Sequence, residues 1–228
     1  MSIKKPTKTK KRPWAGAAPR LNVRDLKLDA IYREAAACFR HNGYHGTSLE
    51  VVAQRLGVGK ATLYHYFSNK QELLFQCHMV AADQAIAAVS DDTDISGLER
   101  LRLSMKRYTE SIIGPESYSV VILEERSLAP DQLKLVIEKR DEFERRLQAV
   151  VLVGQADGTI LPCDPKFAVF AALGAANWVT KWYRSNGSWT IGQVADAMSH
   201  FIVRGLAAGA DFSMSENPIF PNKSMPNN

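Results

Sequence analysis

The chain has 228 residues, enough for one large or two small domains. Hydrophobic residues make up 46% of it and charged residues 23%, a globular balance that excludes wholesale disorder, a collagen-like repeat and a disulfide-dense scaffold. The net charge is +5, but residues 1–24 alone carry eight basic side chains and no acidic one, so the remainder is mildly acidic. This asymmetry indicates a polyanionic partner.

The amino-terminal arm, residues 1–22, is rich in lysine, proline and small residues and cannot bury a core. We predict that it is flexible, and either a solubilising tail or an arm that follows DNA phosphates. No apolar segment follows its basic residues, as a signal peptide would require. The three cysteines form no CxxC pair, and the longest uncharged apolar stretch, 167–180, is shorter than the roughly 20 residues that span a bilayer. The sequence therefore predicts a cytoplasmic protein without a membrane segment.

Helical periodicity dominates the next part of the chain. The apolar spacing predicts four helices, over 24–42, 47–56, 60–67 and 68–89. Capping-box spacings open two of them, because Thr47 precedes Glu50, and Ser68 precedes Gln71, by three residues. Gly57 ends the second helix, since glycine readily takes the positive φ that a sharp turn needs.

The second half of the chain is also helical by pattern. Helices are predicted over 96–113, 115–127, 130–156, 165–184 and 190–208. No alternation of period two is long enough for a strand, so the predicted fold is all-α. We divide the chain into the flexible arm 1–22, a DNA-binding domain with its linker helix 23–90, a ligand-binding and dimerisation domain 91–210, and a flexible tail 211–228.

Two short helices separated by a glycine turn form the pattern of a helix-turn-helix, whose second helix lies in the major groove of DNA. Val58, Leu63 and Phe67 supply its buried face, which leaves the other side chains of the second helix pointing outward or sideways. These are Lys60, Ala61, Thr62, Tyr64, His65 and Tyr66. Two tyrosines and a histidine on such a face suit stacking and phosphate hydrogen bonds. The alternative is a helical hairpin without a DNA role.

Lys70 stands in the first turn of the fourth predicted helix, where the helix dipole disfavours a cation. A lysine beside free helix N–H groups is favourable when an anion visits that position, so we predict that Lys70 binds a DNA phosphate. Thr47 offers a hydroxyl for a second phosphate, and we include Ser48 beside it in the DNA-binding surface. The alternative for Lys70 is an ordinary solvent-exposed lysine.

These segments together resemble the TetR family of bacterial transcriptional regulators. The matching stretches are Thr47-Ser48-Leu49-Glu50-Val51-Val52-Ala53, Leu56-Gly57-Val58-Gly59-Lys60-Ala61-Thr62-Leu63-Tyr64-His65-Tyr66-Phe67 and Asn69-Lys70-Gln71-Glu72-Leu73-Leu74. Gly59 stands where the family usually has serine. The resemblance implies DNA contacts from Thr62, Tyr64 and His65, and phosphate contacts from Thr47, Tyr66 and Lys70. It also implies a homodimer on a double-stranded DNA operator, with the last two long helices forming a four-helix interface.

The carboxyl-terminal part carries a second resemblance. Asp164-Pro165, Leu173-Gly174-Ala175-Ala176-Asn177-Trp178 and Trp182-Tyr183-Arg184 look like the branch of the family whose members often sense acyl-coenzyme A thioesters. An aromatic stripe on this helix suggests a ligand wall, with Trp178 and Trp182 touching the ligand and Arg184 near an anionic headgroup. The alternative for the stripe is core packing. We place the dimer interface on the apolar stripe of 190–208 and the alanine-rich face beside it.

The sequence thus predicts a sequence-specific DNA-binding regulator, a repressor that a small-molecule effector releases. The alternative is a ligand-independent dimeric or architectural DNA-binding protein. An enzyme is disfavoured, because the chain has no GxSxG, HExxH or phosphate-loop motif and no GxGxxG following a strand. We predict no catalytic residue, metal site or cofactor.

Overall fold

We describe residues 23–115, 117 and 125–209 from a computed structural model. Within these ranges the chain forms eight α-helices, which confirms the all-α fold. They are α1 (Val23–Asn42), α2 (Leu49–Leu56), α3 (Lys60–Tyr66), α4 (Lys70–Ala88), α5 (Gly97–Ile113), α6 (Pro130–Ala156), α7 (Pro165–Trp182) and α8 (Ile191–Arg204), with a short 3-10 turn at Glu125–Ser127. The predicted arm and tail lie outside the described residues, as does most of the helix predicted over 115–127.

The first hydrophobic core lies among α1, α2, α3 and α4. Phe39 of α1, Leu63 of α3 and Leu73 of α4 are completely buried in it. Two side chains from much later in the sequence, Leu128 and Val136, belong to the same core. The segment that leads into α6 therefore packs against the amino-terminal domain.

The second core lies among α5, α6, α7 and α8, with the last turns of α4. Ala85 and Ala88 of α4 belong to it, although Leu73 and Leu74 of the same helix belong to the first core. Helix α6 is shared in the same way, because Val136 lies in the first core and Phe143 to Val151 contribute to the second. Helices α4 and α6 thus tie the two domains together.

The structure corrects both predicted capping boxes by one residue. Ser48, not Thr47, caps α2, and its side chain accepts a hydrogen bond from the N–H of Val51. Asn69, not Ser68, caps α4 and accepts from the N–H of Glu72. The residues named from spacing were wrong because two capping residue types are adjacent at each site, Thr47-Ser48 and Ser68-Asn69, and the first of each pair bonds another partner.

The exposed and buried faces of α7 and α8 differ from the predicted interface. Ala168, Ala172 and Ala176, the alanine-rich face of α7, are buried in the second core. Much of the apolar stripe of α8 is also buried, including Val194, Ala195 and Ile202. These small residues let helices of one chain approach each other, so the part of the predicted interface that they form lies inside the chain's own core. The exposed apolar side chains are instead the aromatic ones: Phe167, Phe170, Trp178, Trp182 and Phe201.

Helices α5 and α6 approach each other closely where Gly97 meets Gly154. A Cβ atom added to Gly97 would lie 2.2 Å from the backbone nitrogen of Gly154, and backbone cannot move aside as a side chain can. We expect Gly97→Ala to lower the free energy of unfolding by about 1–3 kcal/mol, because it overpacks a helix crossing. Urea denaturation measures this.

Gly192→Ala is the matched control, because a Cβ at Gly192 of α8 meets nothing within 4 Å. It should change the free energy of unfolding by no more than about 0.5 kcal/mol. Equal stability of the two variants would contradict the close crossing.

Candidate DNA-binding surface and ligand cavity

The turn between α2 and α3 has the geometry of a helix-turn-helix. Gly57 ends α2 with φ 68°, in the left-handed region, as its position in the sequence predicted. The N–H of Val58 then donates to the carbonyl of Ala53 at 3.0 Å, which closes the turn. Gly59 precedes α3 and supplies no side-chain cap. Because glycine has no side chain, the N–H groups in the first turn of α3 receive no side-chain cap from the N-cap position.

Helix α3 presents one polar face to solvent. Leu63 is fully buried and fixes the helix on the first core. The side chains predicted to contact DNA from this helix, Lys60, Ala61, Thr62, Tyr64 and His65, are all exposed, and Tyr66 is half-buried. Tyr64 is 48% exposed, so its ring and hydroxyl are accessible to a partner on this face.

Glu50 of α2 organises this face, although the sequence suggested only a capping role for it. The Tyr64 hydroxyl donates a hydrogen bond to the Glu50 carboxylate at 3.0 Å. The Lys60 ammonium lies 3.8 Å from the same carboxylate. A hydrogen bond from its own backbone, followed by those from Tyr64 and Ser48, lowers the pKa of Glu50. Glu50 and Tyr64 lie on different helices, on either side of the turn, so helical periodicity could not reveal the contact between them.

Thr47 has a structural partner instead of a free hydroxyl. Its side chain is 1% exposed, and the hydroxyl donates to the carbonyl of Gly43 at 2.8 Å. This bond ties the end of α1 to the start of α2. Thr47 therefore does not offer its hydroxyl to a phosphate in this conformation.

Lys70 also points back into the protein. Its ammonium donates to the carbonyls of Tyr44 at 2.9 Å and Thr47 at 3.1 Å. It also lies 4.3 Å from the centre of the Tyr44 ring, where a cation–π attraction operates. A lysine in the first turn of a helix is thus stabilised by carbonyl oxygens of the α1–α2 turn, and no external anion is needed to explain it.

A cavity of ≈ 310 Å³ opens between α4, α5, α6 and α7. Its apolar wall contains Ala85, Ile112, Phe143 and Leu173. On the other side the hydroxyl of Tyr108 donates to the side-chain carbonyl of Asn177 at 2.7 Å, and burial raises the pKa of Tyr108. The size and the mixed lining are those of a small-molecule site.

Besides Tyr108, four titratable side chains line the same cavity: His78, Glu125, Arg140 and Glu144. The Arg140 guanidinium and the Glu125 carboxylate form an ion pair at 2.7 Å, and both side chains are 41% exposed. The hydrogen bond from Arg140 lowers the pKa of Glu125, and the charge of His78 adds to this effect. Burial, followed by the nearby Asp141 charge, raises the pKa of Glu144.

The three residues predicted to contact the ligand lie elsewhere. Trp178 is 66% exposed, and Trp182 packs edge-to-face on Trp189. Arg184 follows α7 and donates to the carbonyls of Lys181 and Tyr183. None of these three residues is among the described residues that line the cavity. Asn177, one residue before Trp178, faces the cavity. The helical phase of α7 could therefore have predicted which of its residues line the cavity.

No helix in the described part of the chain combines the length and the apolar character needed to cross a membrane.

The helix-turn-helix joined to a helical domain with a cavity defines a ligand-responsive transcriptional regulator. Residues 31–77 match the family of bacterial regulatory proteins called tetR, and residues 94–206 match the tetracyclin repressor-like carboxyl-terminal domain. The chain belongs to the TetR family, as the resemblance in its sequence predicted, and is a DNA-binding transcriptional regulator.

Three relatives illustrate the similarity. The TetR family regulator PfmR from Thermus thermophilus is 31% identical, with a TM-score of 0.67 over 76% of this chain and 97% of that one. AibR, solved with isovaleryl coenzyme A and operator DNA, is 28% identical, with a TM-score of 0.64 over 77% of this chain and 97% of that one. The transcriptional repressor KstR2 of Mycobacterium tuberculosis is 27% identical over 75% of this chain and 88% of its own length.

The position of Lys70 leads to a stability prediction. Lys70→Met keeps most of the aliphatic stem but removes the donor to the two carbonyls of the α1–α2 turn. We expect a loss of roughly 1–2 kcal/mol in the free energy of unfolding, because charged hydrogen bonds of this kind contribute at that level. Thermal and urea denaturation of the DNA-free protein measure it.

Lys134→Met is the control, because the side chain of Lys134 is 76% exposed and its ion pair with Glu138 spans 3.9 Å. If both variants were as stable as the parent protein, Lys70 would not hold the turn.

Proposed function

We propose that this regulator is a homodimeric repressor whose operator affinity falls when an acyl-coenzyme A thioester occupies the cavity. The observation that carries the proposal is the sharing of α4 and α6 between the core under the DNA-binding surface and the core around the cavity. The protein acts by binding alone and needs no catalytic group.

On the DNA side, α3 enters the major groove. Thr62, Tyr64 and His65 read base edges, and Lys60 approaches the phosphates or a guanine. Ala61 offers a methyl group, and Tyr66 and Ser48 lie toward the backbone. Thr47 and Lys70, whose polar groups are engaged within the protein, position the α1–α2 turn instead of binding phosphate through their side chains. The tyrosine–glutamate contact holds Tyr64 in place before DNA arrives, which reduces the ordering cost of binding.

On the ligand side, the acyl group enters the cavity and the coenzyme A part remains outside. The support is the solved complex of AibR with isovaleryl coenzyme A and operator DNA, a relative that this chain covers almost entirely. The apolar wall around Ala85, Ile112 and Leu173 suits an acyl chain. A volume of ≈ 310 Å³ lies at the lower end for small-molecule pockets, of about 300–1,000 Å³, which favours a short acyl group.

A chain of contacts connects the cavity with the DNA-binding domain. Arg140 of the cavity wall holds Glu125, the first residue of the 3-10 turn. At the other end of this turn the Ser127 carbonyl accepts a hydrogen bond from the Gln71 amide of α4 at 2.6 Å. The next residue, Leu128, is buried in the first core. A ligand that shifts α6 relative to α4 therefore moves a segment on which the recognition domain rests.

The homodimer forms through the exposed aromatic face of α7 and α8. Phe167, Trp178 and Phe201 are among the most exposed large apolar side chains of the described residues. Such patches on a soluble protein mark interaction surfaces. Pairing by two-fold symmetry places two copies of α3 on one face, where they can meet half-sites about 34–36 Å apart on an operator. Trp178 and Trp182 thus serve the interface and not the ligand.

The contact between Tyr64 and DNA is tested by Tyr64→Ala. We expect operator affinity to fall by about 1–3 kcal/mol with a loss of base preference, while affinity for unrelated duplex DNA changes little. Fluorescence anisotropy on both duplexes measures this. Tyr64→Phe loses the bond to Glu50 but keeps the ring, so its operator affinity should lie between those of the parent protein and Tyr64→Ala. An unchanged operator affinity in Tyr64→Ala would contradict the assignment of α3 as the reading helix.

The route from the cavity to the DNA-binding domain is tested by Glu125→Gln. In the parent protein an acyl-coenzyme A effector should lower operator affinity by about 1–3 kcal/mol, the usual range of allosteric coupling. In Glu125→Gln this effect should shrink at least about threefold in affinity ratio, because a neutral amide holds Arg140 more weakly than the carboxylate does.

Glu142→Gln is the control, because it breaks an ion pair with Arg146 on the same helix outside the cavity. A Glu125→Gln variant that responds to the effector like this control would show that the coupling runs elsewhere.

A further inference from the structure

The cavity holds an excess of negative charge that the proposed function does not use. Arg140 and Glu125 neutralise each other at 2.7 Å, and His78 acts on Glu125. Glu144 lines the cavity from the same helix as Arg140. Among the described residues, none donates a hydrogen bond to Glu144 or lies within ion-pair distance of it. The Glu144 carboxyl therefore has no hydrogen-bond or ion-pair partner among the described residues at the cavity wall.

The charged neighbours of Glu144 do not complete it. Lys166 of α7 and Arg140 attract the carboxylate only from a distance. The Lys166 ammonium instead lies 5.5 Å from the centre of the Phe170 ring, and Arg140 is held by Glu125. Asp141, one turn earlier on α6, repels the carboxylate. Partial burial in a cavity that Phe143 and Leu173 also line makes the Glu144 carboxylate less favourable than it is in bulk water, and a donor on a ligand would offset this cost.

We propose that Glu144 selects the effector, by accepting a hydrogen bond from a hydroxyl or ammonium group on the part of the ligand inside the cavity. The inference rests on the proposed function, in that the cavity is the effector site. A ligand with such a donor satisfies a carboxyl that otherwise stays unpaired, whereas an unsubstituted chain leaves it desolvated. Sites that discriminate between ligands by one polar group work in this way.

The same arrangement disfavours a free carboxylic acid. A ligand carboxylate beside Glu144 is repelled by it, while the guanidinium that lines the cavity, Arg140, is already paired with Glu125. A thioester replaces the ligand carboxylate with a neutral carbonyl group. The cavity therefore favours acyl thioesters and amines over free acids of the same length.

The test uses the full chain and matched probes. Butyryl-, hexanoyl- and octanoyl-coenzyme A are compared with their 3-hydroxy counterparts, and octylamine is compared with octanoate. Binding is measured by the shift of the melting temperature and, separately, by release of operator DNA. We expect the hydroxylated thioester to bind about tenfold more tightly than its parent for at least one chain length, and octylamine to bind about tenfold more tightly than octanoate.

Two substitutions distinguish the hydrogen-bond acceptor of Glu144 from its charge. Glu144→Met removes the acceptor at similar length and should abolish both preferences. Glu144→Gln keeps an acceptor but loses the charge, so it should retain part of the preference for the hydroxyl group and lose that for the ammonium group. Glu142→Gln, outside the cavity, should behave as the parent protein.

Three results would overturn the inference. They are equal binding of both members of each pair by the parent protein, preferences that persist in Glu144→Met, and no binding of any probe. Operator binding without ligand is measured first, and it tests the regulator itself. A protein that binds operator but ignores the substitution at Glu144 would contradict this inference alone.

Discussion

The structure depends on two helices that each belong to two hydrophobic cores. Helix α4 contributes Leu73 to the core beneath the recognition helix and Ala85 to the core around the cavity. Helix α6 does the same with Val136 and Phe143. Because close-packed cores rearrange in discrete steps and do not deform continuously, neither helix can move in one domain without repacking in the other. We propose that a small molecule acts on DNA binding through this physical link.

The DNA-binding surface separates positioning from contact. Side chains that hold the turn, such as Thr47 and Lys70, direct their polar groups to backbone carbonyls. The side chains that we propose to contact DNA stand on α3, where Leu63 fixes the helix from beneath. Glu50 connects the two groups through Tyr64. A recognition helix of only seven residues can keep a defined orientation because its supports lie on other helices.

Much of this fold could be predicted from the sequence, because helical periodicity and the turn glycine Gly57 are local signals. The boundaries of α6 were predicted correctly for the same reason. The cavity could not be predicted in this way, because its lining comes from four helices that meet only in the folded chain. Trp178 was predicted to contact the ligand because it is large and aromatic, but its position on α7 turns it outward. The partners of Lys70, the carbonyls of Tyr44 and Thr47, lie too far away in sequence for periodicity to reveal them.

The most direct test of the account is thermodynamic linkage between the cavity and the operator. The affinity for operator DNA is measured with and without saturating acyl-coenzyme A, and the affinity for the same thioester is measured with and without operator. The account predicts that both affinities fall by one common factor, of roughly 5–150-fold, because a coupling free energy is reciprocal. Operator affinity that is the same with the thioester bound and absent would contradict it.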